Sequence, residues 1–171
     1  AELASVLGHE IAHVTQRHIA RQLDKQSQMQ MAAIAGLIIA LLAARSNPDI
    51  SSAAIATTQA GAIQSALNYS RDLEREADRL GFQYLDAAEY DVNGMVGFFE
   101  RLQRATRLQE YNAPAYLRTH PLTTERIADM QNRAAGARYR QQPDSLEFHL
   151  VRAKLRARQG RPCEAIKSFE S

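Results

Sequence analysis

The chain has 171 residues, 45% of them hydrophobic and 23% charged, a balance that excludes a disordered polypeptide and allows one sizeable core with part of a second domain. Its net charge of +2 gives no reason to expect a nucleic-acid partner. Cys163 is the one cysteine, so an intrachain disulfide is excluded; it reads as a small packing residue rather than a reactive thiol.

Leu3, Val6, Leu7, Ile11, Val14 and Ile19 recur at helical spacing, so residues 2–26 read as one helix. Within it stands His9-Glu10-Ile11-Ala12-His13. Histidines four residues apart lie one turn above each other on one helix face, where both imidazoles can hold a single Zn²⁺. Glu10 then sits beside the metal's open position, placed to take a proton from water. His18, nine residues after His9, falls half a turn out of phase on such a helix and is expected to face away from the metal.

Residues 28–44 read as a second helix, ended by Ser46-Asn47-Pro48. The run from Met31 to Ala44 is almost purely apolar but shorter than the ~20 residues of a membrane span, so a buried hydrophobic helix is expected, with membrane contact at most peripheral. Residues 51–67 are small, poor in charge and weakly patterned. Residues 70–89 form a strongly charged helix and residues 93–108 another, with Val96, Phe98, Phe99 and Leu102 as its apolar contacts. A loop over residues 111–119 leads to His120-Pro121 and a helix over residues 122–139. No strand is expected, so the fold class is mainly α.

A catalytic zinc takes a third protein ligand, which the charged helix must supply from among Asp72, Glu74, Glu76 and Asp78. Glu74 and Asp78 are four apart and share a face, with Ala77 and Gly81 beside it. These small residues, matched by Gly8 and Ala12 beside the histidines, would let the two helices approach closely. Glu74 is then the expected ligand and Asp78 the acceptor for the outer N–H of a ligand histidine. A solvated charged face laced with Arg71, Arg75 and Arg79 is the simpler alternative. Spacing alone leaves His120 open: it is either a helix-entry residue without chemistry or a side chain projecting into a cleft.

Together these residues resemble the gluzincin metallopeptidases, a family that includes the CaaX prenyl proteases, HtpX and the BepA-type periplasmic proteases. The resemblance rests on Leu7-Gly8-His9-Glu10-Ile11-Ala12-His13-Val14, on Glu74-Arg75-Glu76-Ala77-Asp78, and on Thr119-His120-Pro121 followed by Glu125-Arg126-Ile127. In the tail, Ala153, Gly160, Ala165 and Phe169 match the spacing of a tetratricopeptide repeat, with Pro162 opening its second helix. The resulting organisation is a metallopeptidase domain over residues 1–141, truncated at its N-terminus, and an incomplete first repeat over residues 143–171.

The resemblance implies one Zn²⁺ per chain, held by His9, His13 and Glu74, with Glu10 as the catalytic base. It implies that His120 can occupy the fourth zinc position as a latency switch; an oxyanion-stabilising side chain is also required, and His120, once released from the metal, is the candidate for it. It further implies a periplasmic endopeptidase and chaperone of a Gram-negative bacterium. Its substrates would be stalled or misfolded outer-membrane proteins, and its repeats would contact the β-barrel assembly machinery. A chaperone or scaffold with a silenced zinc site, or a membrane-associated protease of HtpX or Oma type, are the competing expectations. The substrate-pairing edge strand is expected before Ala1.

Overall fold

A computed structural model describes residues 1–44, 48–107 and 115–158. Every regular element among them is a helix: α1 (Glu2–Thr15), α2 (His18–Ala44), α3 (Pro48–Ala87), α4 (Asn93–Arg107), α5 (Ala115–Thr119), α6 (Thr124–Ala134) and α7 (Leu146–Ala157). They fall into two compact units, Ala1–Arg140 and a second beginning at Gln141. In the second unit α7 is capped by Ser145, whose side chain accepts from the Phe148 N–H. Gly160, Pro162, Cys163, Ala165 and Phe169, and with them most of the repeat pattern, lie outside the described residues.

The first helix is shorter than its apolar periodicity predicts. It stops at Thr15, and Arg17 takes a left-handed conformation (φ 53°) while its N–H bonds the Val14 carbonyl. That is the geometry of a helix C-terminus, and it changes the direction and phase of everything that follows. The buried face of α1 is Ser5, Gly8, His9 and Ala12; Leu3, Leu7, Ile11 and Val14 are exposed.

The weakly patterned residues 51–67 are helical and continuous with the charged segment, giving a 40-residue α3. Alanine and glutamine carry enough helix propensity to sustain the ladder where hydrophobic periodicity fades. The last helix of the first unit begins later than expected because the Thr123 side chain, not Pro121, caps it, accepting from the Arg126 N–H. Part of the expected loop, residues 115–119, is the short helix α5. The core gathers Leu85 of α3, Val92, Met95 and Phe99 around α4, and Ile127 and Met130 of α6.

The expectation of a buried apolar helix over Met31–Ala44 is overturned. Within α2 only His18 and Ala40 are buried, while Met31, Ile34, Leu37, Ile38, Ile39, Leu41 and Leu42 are exposed. α2 packs along α3 through its small residues, and its large side chains point outward.

Candidate metal centre

Two glycines decide how closely α1 and α3 approach. A Cβ added to Gly81 on α3 would lie 3.0 Å from the His9 backbone nitrogen and 3.1 Å from the Gly8 carbonyl carbon. Ala12, one turn after Gly8, and Ala77, one turn before Gly81, are fully buried. α1 and α3 therefore meet backbone to backbone, and the side chains flanking that contact converge.

Four donor groups converge there: His9, His13, Glu74 and His120 offer ligand atoms that all lie within 4.8 Å of one another. His9 Nε2 is 3.0 Å from His13 Nε2 and 3.3 Å from His120 Nδ1. His120 Nδ1 is 3.1 Å from Glu74 Oε1, and His13 Nε2 is 3.4 Å from that same oxygen. Tetrahedral ligands at zinc distances of about 2.0–2.1 Å are separated by roughly 3.3 Å, so these separations match the edges of such a shell. The residues fit a metal ion on chemistry as well as distance, since imidazole nitrogens and a carboxylate are zinc donors.

The outer nitrogens of both paired histidines each have a polar neighbour within contact distance. His9 Nδ1 stands 2.9 Å from Asp78 Oδ1. Asp78 is itself gripped by Arg126, whose Nε and Nη2 donate to its two oxygens at 2.6 and 2.7 Å. The same guanidinium reaches Glu74 Oε2 at 3.0 Å and donates to the Pro121 carbonyl at 2.7 Å. Arg126 is 4% exposed and Asp78 1%. With the histidines neutral, as ligands must be, one buried cation compensates one of two buried carboxylates, leaving a single negative charge that favours a cation among the four donors.

His13 Nδ1 meets His18 Nδ1 at 2.9 Å. His18 does not face away: the left-handed turn at Arg17 resets the helical phase and aims it at His13, and it is 2% exposed. Its Nε2 lies 3.4 Å from Glu76, which pairs with Arg21 at 2.8 Å. Glu76 is occupied in this way, and Asp72 pairs with Arg75.

Without a cation, the cluster divides its protons unequally. Burial works against a charged His9, yet hydrogen bonds to Asp78 and Glu74 outweigh it and raise its pKa to about 9. His13, whose burial is reinforced by the neighbouring His9 charge, falls to about 4. Burial alone would raise Glu74, but His120, His9 and Arg126 hold it well below the usual carboxylate range. A divalent cation competes for the same lone pairs as the His9 proton.

His120 follows α5 and stacks on Tyr116, ring centroids 4.6 Å apart and planes 24° from parallel. Burial, with the Glu10 charge nearby, pushes the Tyr116 phenol above its ordinary range and keeps it protonated. Glu10 Oε1 is buried, has no hydrogen-bond partner among the described residues, and lies 3.5 Å from His120 Nε2. All the singled-out residues, His9, Glu10, His13, Glu74, Asp78 and His120, are therefore brought to one place. His149 lies apart in sequence on α7, beside Arg152.

The sequence reading gave no role to two neighbours, Arg126 and Tyr116, and placed a third, His18, on the wrong side. Arg126 carried a usable signal, because it stands in the buried stripe of α6 with Ile127, Met130 and Ala134. An arginine in a core stripe needs a buried anionic partner. His18 and Tyr116 carried no comparable signal.

A helical scaffold with histidines and a carboxylate converging around a short His-Glu-x-x-His turn defines a metallohydrolase type of protein. The chain belongs to peptidase family M48, whose sequence profile matches residues 1–134. It is 45% identical over 158 residues to a putative beta-barrel assembly-enhancing protease of Vibrio cholerae, a match covering 92% of this chain and 32% of that protein. Against the beta-barrel assembly-enhancing protease of Escherichia coli K12 it is 37% identical over 154 residues, covering 90% and 31%. Similarity extends to the mitochondrial metalloendopeptidase OMA1 of Bos taurus, at 34% over 124 residues, covering 70% and 23%. The chain spans about a third of the length of the first two relatives.

Proposed function

We propose that this chain is the catalytic part of a zinc-dependent endopeptidase, with one Zn²⁺ held by His9, His13 and Glu74. The observation that carries the reading is the convergence of those donors beside a buried Glu10 oxygen that accepts no hydrogen bond among the described residues. A zinc ion there supplies a Lewis acid that acidifies water and polarises a peptide carbonyl. Glu10 accepts the proton from water and delivers it to the leaving amine. Asp78 fixes the tautomer and orientation of His9, and Arg126 fixes Asp78.

His120 governs access. In place, its Nδ1 occupies the position a substrate would need, and the enzyme rests in a latent state. Withdrawn, its ring offers an N–H for the oxyanion of the attacked carbonyl. The names of the relatives, which speak of β-barrel assembly, support substrates among β-barrel outer-membrane proteins. On the same proposal those substrates are stalled or misfolded, the protein also contributes a chaperone-like action to their assembly, and it works in the periplasm. Residues 143–171, as the start of a tetratricopeptide array, would contact the β-barrel assembly machinery.

The test is Glu10→Gln, which keeps the shape of the side chain but removes the base. Metal content should stay that of the parent while cleavage of an unfolded outer-membrane protein falls by about 10²–10⁴-fold, the usual contribution of a general base. Undiminished cleavage would remove Glu10 from the mechanism.

A further inference from the structure

The pairing of α2 with α3 is built inside out for a water-soluble hairpin. The contact face of α2 presents Gly36 and Ala40: a Cβ on Gly36 would come within 2.9 Å of Thr58 Cγ2, and Ala40 is fully buried. Ser51 on α3 donates to the Ala40 carbonyl at 2.8 Å, a buried polar tie between the helices. Opposite this face Met31, Ile34, Ile38, Leu41 and Leu42 occupy one stripe about 100° wide at 100° per residue, and every one of them is more than half exposed. In water, large aliphatic side chains belong at the helix contact. In lipid, whose tails are as apolar as leucine, small residues and side-chain hydroxyls take the contact and large side chains turn outward.

A second observation is independent of packing. No charged residue stands between Lys25 and Arg45 on the α2 arm, or between Asp49 and Arg71 on the α3 arm. At 1.5 Å per residue each uncharged arm is roughly 30 Å long, about the depth of a bilayer's hydrocarbon. α2 is long and apolar enough by length and composition to cross a membrane, and its most apolar stretch is almost wholly exposed. At the base of the arms Lys25 Nζ stands over the Tyr69 ring, 6.0 Å from its centroid. Lysine and tyrosine are residues that mark the level of a membrane interface.

We propose that the outward face of α2 seats in the hydrocarbon of a phospholipid bilayer, with α3 as its packed support, so that the metal centre works at a membrane surface. A second copy of the chain or an unfolded polypeptide would also cover apolar surface, but neither calls for uncharged arms matched to bilayer depth.

The test floats the full-length protein with vesicles of phosphatidylethanolamine and phosphatidylglycerol, and compares Ile34→Gln/Ile38→Gln/Leu42→Gln. The native protein is expected to float, and still to float at about 1 M salt, where charge attraction is screened within ~3 Å. The triple variant should float at least tenfold less while keeping its metal content and melting temperature. As a second readout, Ile38→Trp should gain blue-shifted emission that lipids brominated on their acyl chains quench. The proposal is overturned if the native protein stays with the soluble fraction, if flotation is lost at high salt, or if the triple variant floats as well as the parent. It is equally overturned if the three substitutions abolish self-association and vesicle binding is absent, which would make this face a contact between copies.

Discussion

Replacing Gly81 by alanine tests whether the approach of α1 to α3 builds the centre. In an open helix position the change is favourable by about 1 kcal/mol, because alanine restricts the unfolded chain and costs no helix strain. At Gly81 the new methyl would lie 3.0–3.1 Å from backbone atoms of Gly8 and His9, which cannot rotate away. Carbon contacts settle at about 3.5–4.0 Å, so the helices must part by roughly 0.5 Å. Overpacking of this kind costs about 1–3 kcal/mol, leaving a net loss near 1 kcal/mol and a melting temperature lower by about 2–4 °C. His9 moves with the displaced backbone, and metal–ligand distances tolerate only about 0.2 Å. Metal affinity should therefore fall at least tenfold, about 1.4 kcal/mol. The control is Gly61→Ala on the same helix, where an added Cβ meets nothing within 4 Å; it should gain up to about 1 kcal/mol and leave affinity unchanged. Thermal unfolding of the metal-free protein and competition against a chromogenic chelator measure both effects. If Gly81→Ala is as stable as Gly61→Ala and binds metal as the parent does, close approach is not what positions the site.

Arg126→Met should cost about 3–5 kcal/mol in urea unfolding because it leaves Asp78 and Glu74 buried without their cation, and less in the metal-loaded protein; a loss under about 0.5 kcal/mol would show the pair to be dispensable. His120→Ala should raise turnover of an unfolded substrate at constant metal content, whereas a collapse of turnover would assign His120 to oxyanion stabilisation instead of latency. Proton release gives a pH test. His9 in the metal-free protein holds its proton up to about pH 9 and His13, at about 4, is already neutral at pH 7. Metal uptake at pH 7 should therefore release about one proton, and apparent affinity should rise roughly tenfold per pH unit towards pH 9 and then level. Calorimetry in buffers of different ionisation enthalpy reads the proton count, and an affinity flat across this window would refute the coupling.

Much of the centre is legible because its parts are local. His9, Glu10 and His13 are fixed relative to one another by the 3.6-residue helical period, as are Glu74 and Asp78. The small residues at Gly8, Ala12, Ala77 and Gly81 mark the faces that meet. The period fails as a guide where one backbone angle interrupts it: Arg17 ends α1, and His18 turns from an expected outward position to a contact with His13. Hydrophobic periodicity also misleads on α1 and α2, where the large apolar residues are exposed and the small ones packed.

A helical chain, a His-Glu-x-x-His turn with both imidazoles on one face, and a further helix able to bring a carboxylate to it follow from the residues alone, because each is a matter of spacing along a regular helix. Tertiary structure decided that His120 reaches Glu74 across 46 residues and that Arg126 reaches Asp78 across 48. It also decided that the apolar side of α2 faces outward. No spacing rule sets such pairings; they follow from where capped and interrupted helices come to rest against one another.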